Sequence, residues 1–151
     1  MRGRPGGVTA LAVFFAAGAC ISGAASLALA FPGSALEPMW RLNPRAHAGF
    51  GRLGAWAAWL LLAVCVACGL AAAGLWRGRR GGYWLSCGLL AVNLAGDLAN
   101  ALLGTEPRAL AGVPIAAGLL AYLASARVRR YFARPCPDAD QATPRHDAPP
   151  P

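Results

Sequence analysis

Asp97 is the one acidic residue set inside a long apolar stretch of this 151-residue chain. Ser86, Asn93 and Asn100 stand around it, and steps of seven, four and three return to nearly one helical face at 100° per residue. Such a seam supports two kinds of chemistry. In the first, Asp97 pairs with an arginine, and the asparagines hydrogen-bond neighbouring helices and fix register. In the second, Asp97 is the ionisable centre of a small polar site that takes a proton, a cation or a small ligand. Arg52 is the expected ionic partner, since it lies at the far end of the neighbouring antiparallel segment. His47 is a titratable neighbour, and Arg45 and Arg108 are further cations at the same end. Amide and carboxyl groups are costly in hydrocarbon, so the seam is expected to face the interior of a helix bundle.

The elements that must position these residues are four largely uncharged stretches. A bilayer core of about 30 Å needs roughly 20 apolar helical residues, with about 17 at the short end. The expected spans are 8–31, 51–76, 82–104 and 108–126, forming one transmembrane domain over 1–132. Residues 133–151, rich in Pro and Asp, are too poor in apolar surface to fold and are expected as a disordered cytoplasmic tail. The fold class is all-α: an integral-membrane four-helix up-down bundle. With 57% hydrophobic and 13% charged residues, the composition is that of the membrane class.

Charge sets the orientation. The chain carries no lysine, and its arginines are distributed unevenly. Ten flank the termini and the connection between the second and third stretches: Arg2, Arg4, Arg77, Arg79, Arg80, Arg127, Arg129, Arg130, Arg134 and Arg145. Four lie in the other two connections: Arg41, Arg45, Arg52 and Arg108. Positive residues accumulate on the cytoplasmic side, so both termini are expected there. The net charge of +8 is dispersed at segment ends and lacks an aromatic basic face. It points to lipid head groups and excludes nucleic acid. Alanine, glycine and arginine richness without lysine is associated with GC-rich bacterial genomes, so a multi-pass protein of a bacterial cytoplasmic (inner) membrane is expected. The first stretch reads as an uncleaved anchor. Ala28-Leu29-Ala30 has the look of a signal cleavage site, but the apolar run before it exceeds the roughly 7–15 residues of a signal h-region.

Local signals fill in the connections. Ser34 to Glu37 fits a capping box, and Asn43-Pro44 fits an N-cap with proline at the first helical position. A short interfacial helix is therefore expected in the first external loop, running on into the second span. Thr105-Glu106-Pro107 marks a short turn, and Pro114 is expected to kink the last helix. Gly18, Ser22 and Ser26, then Gly69 and Ala73, then Gly88 and Gly96 give small-residue faces for close helix approach.

Cys65 and Cys68 form a C-x-x-C, but mid-span thiols lack the aqueous access that thiolate exchange requires, so they read as packing residues. His47 and His146 are the only histidines and fall on opposite sides of the expected membrane, which argues against zinc. No catalytic residue, metal site or cofactor motif emerges.

The run Gly74-Leu75-Trp76-Arg77-Gly78-Arg79-Arg80, followed by an acidic residue in the next helix and by Tyr122-Leu123 through Val128-Arg129-Arg130-Tyr131-Phe132, resembles small bacterial four-helix membrane proteins with no known activity. The resemblance covers about 53–132. It implies the same topology and assigns no functional residue. The leading expectation is a non-enzymatic structural or accessory membrane protein, whose partners are the lipid bilayer and another membrane protein or itself through the small-residue faces. The alternative is a minimal transport or sensing protein built on the seam around Asp97.

Overall fold

The computed structural model describes residues 5–103 and 109–133, and within them the chain is all helical. Helix α1 spans Gly6–Ala30. A short 3-10 turn at Glu37–Leu42 leads into α2, Pro44–Leu53. Next come α3, Ala55–Trp76, α4, Arg80–Leu102, α5, Ala109–Ala124, and α6, Ala126–Phe132. Helices α1, α3 and α4 have 25, 22 and 23 residues and are apolar enough to cross a membrane. At 1.5 Å per residue they measure roughly 33–38 Å, against a hydrocarbon core of about 30 Å. The α5–α6 pair, bent by 59° at its break, makes a fourth crossing if the two are one span.

Successive long helices pack antiparallel. Gly18 approaches Cys68 and Gly23 approaches Cys65, while the Ser26 hydroxyl donates to the Ala58 carbonyl at 2.8 Å. The numbering rises on α1 as it falls on α3. The small-residue face expected on α1 is thus used inside the chain. Its one interhelical hydrogen bond is of a kind worth about 0.6 kcal/mol in a bilayer. Between α3 and α4 the approach is closer still: a Cβ on Gly74 would lie 2.5 Å from the Gly82 Cα. Any side chain at either position would collide with backbone, which cannot step aside.

At one end of the molecule, the basal end, α1, α3, α4, α5 and α6 share a core. Val8, Leu11 and Phe15 of α1 meet Leu75 of α3, Leu90 of α4, Leu123 of α5 and Val128 and Phe132 of α6. The opposite, distal end has its own smaller cluster, in which Ala25 and Ala28 of α1 pack with Trp40, and Phe50 and Leu61 close around them. This distal cluster belongs to α1, α2 and α3 and the 3-10 turn, and among the described residues α4 and α5 contribute nothing to it.

Several expectations need correction. The second span does not run on from the loop helix: Gly54 adopts φ +56°, open to glycine, and breaks the chain between α2 and α3. The Asn43 cap forms as expected, its side-chain oxygen accepting from the Ala46 N–H at 3.1 Å. The capping box does not: Glu37 reaches back to the Gly33 N–H at 2.8 Å, and the Ser34 hydroxyl is buried without a partner. Pro114 is accommodated within α5, and the bend falls at Ser125, whose extended backbone (φ −59°, ψ 143°) separates α5 from α6. The Thr105–Pro107 turn, Arg108 and the tail from Arg134 lie outside the described residues.

Candidate functional site

The polar seam of α4 divides into two unlike parts. Near the basal end, Ser86 is fully buried and donates to the Gly82 carbonyl one turn back at 2.7 Å. It satisfies itself within its own helix and sits where α3 and α4 touch. Ser86 is thereby removed from the site the sequence assigned it to.

The distal part holds the remaining three. Asn93 donates its amide to the Asp97 carboxylate at 3.0 Å, one helical turn apart. Asp97 is half-buried and leans toward α5, where its carboxylate occupies the space that a side chain on Gly112 would need. Asn93 and Asn100 are both exposed. The seam therefore lies along the margin of the α4–α5 contact, not in an enclosed interior, which corrects the expectation of a buried stripe. The physical reason is the architecture at that end: the distal cluster draws α1, α2 and α3 together and leaves the α4 surface uncovered.

Arg52 and His47 are not brought to Asp97. Both are exposed residues of α2, and Arg52 stands in its last turn. Among the described residues Arg52 and Asp97 form no ion pair, so the carboxylate is met by a neutral amide donor. The break at Gly54 explains this, because α2 no longer continues the axis of α3 and packs back over the 3-10 turn. His47 stacks on Trp40 there, with ring centroids 5.0 Å apart and planes within 17°. The sequence placed His47 at the mouth of a site; the structure makes it the cover of a buried tryptophan.

The open surface of α4 has a consistent character. Asn93, Gly96 and Asn100, at spacings of three and four, share one exposed strip. Gly96 and Gly88 have nothing within contact distance of where a side chain would begin. Only 11% of the spanning stretch of α4 is buried, against 28% of α1 and 22% of α3. Of the three long helices, the one richest in polar groups is thus the one least covered by its own chain.

Sequence reasoning missed Gly112, and no signal marked it, because its role is defined by a carboxylate on another helix. It also missed Arg80 as a structural strut. Its side chain donates to the backbone carbonyls of Phe132, at 2.8 Å, and Ala133. The cysteines behave as packing groups: Cys65 and Cys68 are free thiols set against Gly23 and Gly18 of α1. Among the described residues, no three His, Cys, Asp or Glu side chains gather as a metal site.

No family model, no curated protein and no solved structure matches this chain. The likeness drawn from the basic turn and the closing aromatic run is therefore not supported by a family match. What the molecule itself shows is an all-α protein with three long helices, and a fourth bent one, of the length and composition of an integral membrane protein.

Proposed function

We propose that this is a non-enzymatic, four-span accessory or structural protein of a bacterial cytoplasmic membrane, whose α4 face is completed by a helix from another protein or a second copy of the chain. One observation carries the reading: Asn93 and Asn100 are exposed on a helix of which only 11% is buried. Amide groups facing acyl chains are unfavourable, and polar side chains in membranes turn toward protein. Asparagine hydrogen bonds across helices and close approach over glycine are the usual means of association in lipid. Gly96, between the two asparagines on the same exposed strip, provides the second means beside the first. The ten-to-four arginine distribution supports an up-down arrangement with both termini in the cytoplasm.

The test is the assembled mass of the detergent-extracted protein, together with what co-purifies with it, for the natural chain and for Asn93→Leu/Asn100→Leu. The expected result is a complex larger than one chain that the double variant loses while keeping its helical content. A chain that is always monomeric, purifies without a protein partner and is stabilised by the leucines would overturn the reading.

A second reading, a minimal transport or sensing protein, is favoured by the pairing of Asp97 with Asn93 in place of an arginine. In that case Asp97→Asn, reconstituted in vesicles, keeps its fold and loses a proton- or cation-dependent response. An Asp97→Asn chain that responds like the natural one removes it.

A further inference from the structure

A second polar feature lies at the basal end and owes nothing to Asp97. A cavity of about 660 Å³ opens where α4 begins and where α5 breaks into α6, a size ordinary for a ligand site. Its floor is Tyr83 and Phe132, whose ring centroids are 5.2 Å apart. The Tyr83 hydroxyl donates to the Leu123 carbonyl at 3.3 Å, next to the carbonyls freed by the break. Three arginines line the cavity, Arg80, Arg129 and Arg130, and among the described residues no carboxylate does.

The arginines do different jobs. Arg80 uses its Nε and one terminal nitrogen on the last carbonyls of α6. A guanidinium has five N–H donors, so it clamps α6 to α4 and still has hydrogens to offer. Arg129 and Arg130 are exposed on α6, which is anchored by the buried Val128 and Phe132. Trp84, Ala124 and Ala126 line the cavity as well. Trp84 is 70% exposed on the membrane-spanning helix α4, and exposed tryptophan is characteristic of head-group depth.

We propose that this cavity binds the phosphodiester head group of an anionic phospholipid. The phosphate sits between Arg129 and Arg130 with Arg80 behind it, and the glycerol and upper acyl chains leave over Trp84 and the alanines. A lining that combines three arginines with aromatic and small apolar side chains suits an amphiphile. Basic pockets between helices at the membrane surface are a recurrent form of head-group site. The ligand's chemistry is that of any phosphate ester, so the lipid and free phosphate must be separated experimentally.

The full-length protein, purified in neutral detergent, is titrated with phosphatidylglycerol, phosphatidylcholine or inorganic phosphate, and bound species are counted by native mass spectrometry. Phosphatidylglycerol is expected to bind about tenfold or more tightly than phosphatidylcholine, and Arg129→Gln/Arg130→Gln to lose about tenfold of that affinity. Arg77→Gln/Arg127→Gln removes the same charge from exposed positions outside the cavity and is expected to stay within about twofold. Equal losses in the two pairs would show a diffuse charge effect and overturn the site. So would inorganic phosphate displacing the lipid at matched concentration, or equal binding of the two lipids. If the double variant folds poorly, the single variants Arg129→Gln and Arg130→Gln replace it. Each is expected to weaken lipid binding, and unchanged affinity in both would overturn the site.

Discussion

The Asp97 carboxylate rests against Gly112, in the place a side chain on that residue would occupy. A polar group from α4 is thus housed by a missing one on α5.

Gly112→Ala should therefore destabilise the protein by no more than about 1 kcal/mol, the low end for added volume, because the half-exposed Asp97 carboxylate can turn aside where backbone could not. Asp97→Ala on the same background should restore most of that loss. Thermal unfolding in detergent of the two single variants and the double variant checks it, and additive losses would show that the two residues do not meet.

At the α3–α4 contact, Gly82→Ala is expected to cost about 3 kcal/mol, at the upper end for overpacking. The obstruction there is the backbone of Gly74 and Leu75, the latter's nitrogen lying 2.8 Å from the new Cβ. The same change at Gly88, which has open space around it, should leave the isolated chain's stability unchanged or slightly improved, since alanine exceeds glycine in helix propensity by about 1 kcal/mol. Comparing the two melting curves separates a backbone contact from a general effect of glycine.

Arg52→Ala should leave stability within about 0.5 kcal/mol of the natural protein, as expected for an exposed side chain. Combined with Asp97→Asn it should show no coupling, because separated residues add. A double-mutant cycle with an interaction energy near 1 kcal/mol or above would restore the ion pair that the helix break at Gly54 removes.

Asn43→Ala removes the side-chain acceptor of the Ala46 N–H and should weaken α2 by about 1 kcal/mol. The effect should stay local. Hydrogen exchange of the first amides of α2 should rise, while those of α1 and α3 hold their protection.

The helical segments and their membrane character were legible in the sequence, because lipid solubility demands long apolar runs and arginines mark their ends. The Asn43-Pro44 start was legible for the same local reason: a cap acts within one turn of helix. A bend in the last helix was also expected from the sequence. Its place could not be read, since the bend is made at Ser125 and not at Pro114.

The sequence by itself determined which residues share a helical face, and so placed Asn93, Asp97 and Asn100 together. Only the tertiary structure decided where that face looks. Helical periodicity is a property of one segment, whereas exposure depends on which other segments reach it. Here α1, α2 and α3 close around Trp40 at the distal end and leave α4 beside α5 alone. That is why Ser86 went into the core, Asp97 onto Gly112, Arg52 away from both, and the two asparagines to the surface.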